Sequence, residues 1–174
     1  VLLCFISSSN IITSSSVSLE GENLWILKSM PVSSWKSLSV KTVFHLLITG
    51  IPAILCTTFL CVLLKINVTL SLLCMATVCV FTVLCAVLGL FINLKLPNLH
   101  WTNEVVAVKQ SLSSLLGMFA GWGISALLVG GHFLLGKYLP AWGYLGICIA
   151  LLSVGAIVCG VWLKKRGTQI FEEL

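Results

Sequence analysis

Residues 18–41 read SLEGENLWILKSMPVSSWKSLSVK. This is the longest polar interval in the chain, and the fold is read outward from it. It holds two of the five acidic residues, three of the ten Lys/Arg and two of the six Trp. The chain around it is mostly apolar: of 174 residues, 59% are hydrophobic and only 9% are charged. A soluble domain carries about 25% charged residues. So much apolar surface has no place to hide in water, and the class that fits is a polytopic membrane protein. Residues 18–41 are then a cytoplasmic segment lying on the bilayer surface, with a face turned to a soluble partner.

Four runs are long enough to cross about 30 Å of hydrocarbon at roughly 1.5 Å per residue. They are residues 43–64, 68–92, 112–135 and 141–163. Residues 1–16 form a partial fifth span. Its Ser and Thr hydroxyls are tolerable if they bond back to helix carbonyls or to neighbouring helices. Val1–Ile6 is apolar but runs straight into Ser7, Ser8, Ser9 and Asn10. A signal peptide needs a positive start and a longer apolar stretch. The expectation is the inner end of a span in the C-terminal part of a longer protein. The fold class is therefore an all-α transmembrane helix bundle, four full spans plus a partial one, with amphipathic cytoplasmic helices.

Lys and Arg placement orients the bundle. If residues 18–41 are cytoplasmic, so are Lys28, Lys36, Lys41, Lys95, Lys109, Lys164, Lys165 and Arg166. Lys65 and Lys137 are then outside, a ratio of eight to two. The cytoplasmic segments are residues 18–41, 93–111 and 164–174. The expected location is the cell (plasma) membrane, multi-pass, with the C-terminus inside. The outer loops are very short, and Asn67-Val68-Thr69 is taken as a chance match to the glycosylation pattern.

Within residues 18–41, Ser18 reads as an N-cap, with Glu20 and Glu22 in the first turn where the helix dipole favours acids. Pro31 stops this helix. A second helix starts after Ser33 or Ser34, carries Trp35, Lys36, Leu38 and Lys41, and leads into the next span. An amphipathic connector alone would account for both pieces. The acidic start adds a docking face over residues 20–28, because a helix that met only an anionic lipid surface would be basic throughout. In residues 93–111, Pro97 breaks the exit from the second full span. Trp101, Val105, Val108 and Leu112 then fall on one helical stripe. That stripe predicts a second surface helix running into the third full span.

The eight Cys all lie in apolar runs with no CxxC, and read as reduced packing residues rather than disulfides or metal ligands. No phosphate-binding loop, HExxH or GxSxG occurs. The four full spans contain no Asp, Glu, Lys or Arg, groups that ion-coupled carriers place in the membrane. No cofactor, no metal and no enzymatic activity is expected of this chain, and no nucleic-acid partner. His45 and His100 suit interfacial polar roles. His132 suits a snorkelling or helix–helix hydrogen bond. Gly117 and Gly121 form a GxxxG that lets helices approach closely. Packing within the subunit is the simpler reading of it; the alternative is a loosened third span that rearranges.

The two polar intervals also resemble a known family. SLEGENLWILKSMPVS and LKLPNLHWTNEVVAVKQS are similar to the two cytoplasmic signatures of the large ABC-2-type permeases of Gram-positive bacteria. Members tend to read S-x-E-G-K-x-x-W-x-L-K-S-x-P and D-L-x-x-P-K-L-D-W-x-N-E-x-x-A-V-K-Q. The shared positions are Glu20, Gly21, Trp25, Lys28, Ser29 and Pro31 in the first. In the second they are Leu94, Pro97, Leu99, Trp101, Asn103, Glu104, Ala107, Val108, Lys109 and Gln110. Glu22 stands where members carry a basic residue, and Asn93 and His100 where they carry acids.

The resemblance implies a permease subunit of an ATP-binding-cassette exporter, with a separate ATPase as partner and motor. Residues 18–41 fall where such permeases dock the ATPase, so Glu20, Gly21, Glu22, Trp25, Lys28 and Pro31 are the expected contacts. Pro97, Trp101, Asn103, Glu104, Lys109 and Gln110 mark the second loop. Further expected partners are the lipid bilayer and the missing N-terminal half or a second permease copy. The competing reading is a non-transport membrane protein, either a structural or assembly subunit or an ATP-independent channel.

Overall fold

The computed structural model describes the chain except Val1, Met30, His100, Thr102, Glu104, Val106, Ala107, Lys109 and Gln110, and the side chains of Glu22, Leu27 and Lys28. Among the described residues the fold is helical, with no strand. The elements are α1 (Leu2–Ser8), α2 (Ile12–Ser15), α3 (Leu24–Ser29), α4 (Ser34–His45), α5 (Ile51–Leu63), α6 (Val68–Lys95), α7 (Leu112–Leu135), α8 (Ala141–Trp162) and α9 (Thr168–Glu173). A π-helical turn at Leu46–Gly50 joins α4 to α5, and another at Leu163–Gly167 joins α8 to α9. Five segments are long and apolar enough to cross a membrane: Leu2–Gly21, Ser34–Leu63, Val68–Lys95, Leu112–Leu135 and Ala141–Glu173.

The centre is α6, which packs against α8, α2, α5, α7 and α1. Its burial follows from its sequence, VTLSLLCMATVCVFTVLCAVLGLFINLK, which is apolar on every side. Phe81, Leu84 and Val78 meet Cys4, Ala53 and Leu152 in one cluster at mid-bundle. A second cluster closes the end that carries most of the charge. There Val17, Leu24, Leu38, Leu90, Leu94, Leu163 and Phe171 pack together.

The first segment is where the structure departs furthest from a simple span. Leu2–Gly21 is long enough to cross, but its helix is interrupted between Ser8 and Ile12. Asn10 makes the break: its Oδ1 accepts the backbone N–H of Ile12 at 3.1 Å, competing with the helical pattern. Ser8, Ser14 and Ser15 each donate their hydroxyl to a carbonyl three or four residues back. These are the back-bonds that make serine bearable in an apolar setting.

Two of these helices extend past their apolar runs. One starts at Ser34, where the sequence placed a helix start, and continues for 30 residues, and the last runs 33 residues to Glu173. Residues 164–174 are thus not a free tail: Phe171 is buried in the end cluster. Ser34 Oγ donates to Glu172 Oε1 at 2.7 Å, and Lys164 Nζ lies 6.0 Å from the centre of the Trp35 ring. Lys95 Nζ lies over Phe91 and Trp162. Lys41, Lys95 and Lys164 therefore share one end of the bundle. Lys65 sits in the turn at the other end, with a positive φ of 51°.

Candidate functional site

The charged end is built around Asn93, an amide in the last turn of α6 with no exposed surface. Its Oδ1 accepts the backbone N–H groups of Val17 (2.7 Å) and Ser18 (3.2 Å). Its Nδ2 donates to the hydroxyls of Ser18 (2.7 Å) and Ser113 (3.0 Å). All four hydrogen-bonding positions of the amide are filled. One side chain thereby ties the exit of the first segment to α6 and to the first turn of α7.

Ser18 is not an N-cap. Its hydroxyl is taken by Asn93 and by the backbone N–H of Asn98 at 3.0 Å. No side chain caps the turn that starts there. Residues Ser18–Asn23 form a 3-10 turn rather than the start of an α-helix. Gly21 bends it, at φ 47° and ψ −129°, a backbone region that is essentially restricted to glycine. The missing side chain matters too. A Cβ on Gly21 would lie 2.8 Å from Trp101 Nε1 and 3.2 Å from the Leu99 carbonyl oxygen.

Trp101 rests on that glycine and donates its Nε1–H to the Ser18 carbonyl at 2.7 Å. It is not on a helix, contrary to the stripe read from the sequence. Val105 and Val108 are helical, but Ser111 is extended (ψ 139°), so that stretch does not run on into α7. Ser111 starts α7 afresh by accepting the N–H of Ser114 at 3.2 Å. The stripe fails because the indole finds a better partner in the first interval than it would in its own.

Glu20 faces inward as well. Its Oε1 accepts from Lys41 Nζ at 2.5 Å, and Lys41 also donates to the Ser16 carbonyl at 3.0 Å. Its Oε2 is buried without a partner among the described residues. The acidic start thus holds α4 against the end of the first segment. Trp25 is the outward residue, 67% exposed, with Ile26, Val32 and Trp35 exposed beside it in sequence. Pro31 is exposed in the link between α3 and α4. Pro97 is half-buried just past α6, and exposed Asn103 accepts the N–H of Val105 at 3.0 Å. Glu104, Lys109 and Gln110, and the side chains of Glu22 and Lys28, lie outside the described residues.

Gly117 and Gly121 face the broken first segment. A Cβ on Gly117 would stand 2.8 Å from Ser14 Cβ, and one on Gly121 would overlap Ser8. From the α6 side, Gly89 closes on Thr13 in the same way. His45 is buried, with Nδ1 3.3 Å from Thr13 Oγ1. Trp122 stacks on Phe5 at 4.9 Å and donates to Ser9 Oγ at 3.2 Å. The His132 ring lies 5.3 Å from that of Tyr144. The cysteines are free, and Cys56 departs from the packing role by being exposed.

Ser113 and Thr13 have no place among the residues the sequence singled out, Asn10 entered only as part of a polar end, and Asn93 only as an amide where the resembling signature has an acid. The available signal was an amide inside an apolar run, as in LGLFINLKLP, which has no reason to be there without partners. Comparison with family models, curated proteins and solved structures finds no match to this chain.

Proposed function

We propose that the chain is the permease portion of an ATP-driven exporter in the cell membrane, worked by a separate ATP-binding-cassette ATPase that engages α3. The proposal rests on the two signature-like intervals described above and on one feature of the geometry. The exposed α3 segment is joined through Gly21 and Ser18 to Trp101 and Asn93. It is joined through Glu20 to Lys41 of α4. A push on Trp25 therefore reaches the ends of α4, α6 and α7 together, by short contacts and hydrogen bonds. In this reading the docking residue is Trp25, an indole of the kind that dominates protein interfaces. Glu20 and Gly21 carry the load onward.

The test is co-purification of the full-length protein with its ATPase from membranes. Trp25→Ala should abolish it while membrane insertion and the unfolding temperature stay at parental values. Undiminished co-purification overturns the docking role. Variants of Glu20 or Gly21 are unsuited to this purpose, because they break the frame itself.

A further inference from the structure

A second feature lies away from the charged end. Where the first segment breaks, α1 and the α4–α5 helix part to leave a cavity of about 230 Å³. Ser7, Asn10, Ile48, Thr49, Pro52 and Cys56 line it. Its depth follows from α7: Ser8 packs on Gly121, nine residues into that helix, or about 14 Å from its start at roughly 1.5 Å per residue. That is near the middle of a hydrocarbon layer about 30 Å thick.

The protein satisfies the polar groups there only in part. Ser7 is 5% exposed, and its Oγ, closed off from the cavity, has no partner among the described residues. Asn10 Nδ2 donates to Thr49 Oγ1 at 2.5 Å, while its Oδ1 takes only one backbone N–H among the described bonds. On the opposite wall the helix is irregular too. The π-helical turn Leu46–Gly50 runs into Pro52, which cannot send the usual bond back to the Ile48 carbonyl. Both walls thus present irregular backbone at the same depth. Lipid cannot satisfy such groups, and irregular backbone at membrane depth persists only inside protein or against water.

We propose that this cavity is a hydrated recess that binds water and small neutral hydrogen-bonding molecules. No ionisable carboxylate or amine lines it, so nothing in it selects for charge. Its volume holds several waters at roughly 30 Å³ each. The inference is independent of the ATPase partner and goes beyond the docking role of α3.

The chain carries its own probe. Cys56 is exposed and on the cavity wall. The cysteine thiolate attacks the methanethiosulfonate sulfur and expels methanesulfinate, and that thiolate forms in water and not in lipid. The full protein in native membranes is treated with a charged trimethylammonium methanethiosulfonate, and modified cysteines are mapped by mass spectrometry. Cys56 should react at least tenfold faster than Cys159, which packs beside the apolar end cluster. Thr49→Val, nearly isosteric, should slow Cys56 by several-fold without moving the unfolding temperature by more than a few degrees. Equal rates at Cys56 and Cys159, or modification of Cys56 by membrane-permeant N-ethylmaleimide alone, would show a lipid-filled groove and overturn the proposal. A Thr49→Val rate equal to the parent's would also overturn it, since the polar lining would then play no part in admitting water.

Discussion

Asn93 is the residue on which the charged end depends. Replacing it with Leu removes the partner of two backbone N–H groups and two hydroxyls in a site closed to water. Hydroxyls can turn toward one another, but backbone N–H groups cannot. The expected loss is about 3 kcal/mol or more, at about 1–3 kcal/mol for each buried group left unpaired. Reversible unfolding in detergent measures it. Asn93→Asp should cost far less, because a carboxylate accepts the same two N–H groups and both serine hydroxyls can swing round to donate. Equal losses for Leu and Asp would mean that the amide is a space-filler.

At the level of elements, the short approach of α7 to the first segment is set by glycine. Gly121→Val places a branched side chain on Ser8 and should destabilise the bundle by about 1–3 kcal/mol, the usual cost of overpacking. Gly123→Val is the matched control, since nothing lies within 4 Å of a Cβ there. Thermal unfolding of the two variants side by side checks the pair, and similar midpoints would mean that the close approach is not formed. The elements themselves were largely readable. Runs of 20 and more apolar residues have one outcome in lipid, and α7 begins and ends where hydropathy put it. What hydropathy could not supply was continuity. The break at Asn10 and the halt before Ser111 go with the distant groups that Asn10 and Trp101 reach. Such pairings, Asn10 with Thr49 or Trp101 with Ser18, join residues 39 and 83 apart and leave no periodic trace.

For the molecule as a whole, cations mark the ends. Lys41, Lys95 and Lys164 lie at the end of the bundle that holds Asn93, and Lys65 lies at the opposite end, in the turn after α5. The proposed function puts the first end inside, the side that an excess of Lys and Arg favours. Lys137→Cys, at an exposed position beyond α7, should add a label from an impermeant maleimide applied to intact cells. No gain over the parent chain reverses the orientation and removes α3 from the reach of a cytoplasmic ATPase. Of the candidate site, the sequence told the polar intervals but not which of their residues are buried. Trp25 and Pro31 stand exposed. Glu20, Gly21 and Trp101 stand in the same signatures but are spent on holding the two intervals together. Sequence spacing does not distinguish a residue that meets a partner from one that frames the residue that does. The difference is burial, which is fixed only once both intervals are folded.

The cluster that closes the charged end has a consequence for the order of events during synthesis. It draws Val17 from the first segment and Phe171 from α9, with every other helix between them in sequence. Most of the bundle can assemble helix by helix as each leaves the ribosome, since α5 and α6 are neighbours in sequence and in space. The end cluster cannot. Until Phe171 emerges, Leu38 and Leu94 lack one of the side chains that cover them, and α3 hangs from a half-built frame. Closure is thus a late step over a long loop, in the class of contacts that form slowly. A nascent protein would acquire its spans well before it acquired a rigid surface for a partner to grip.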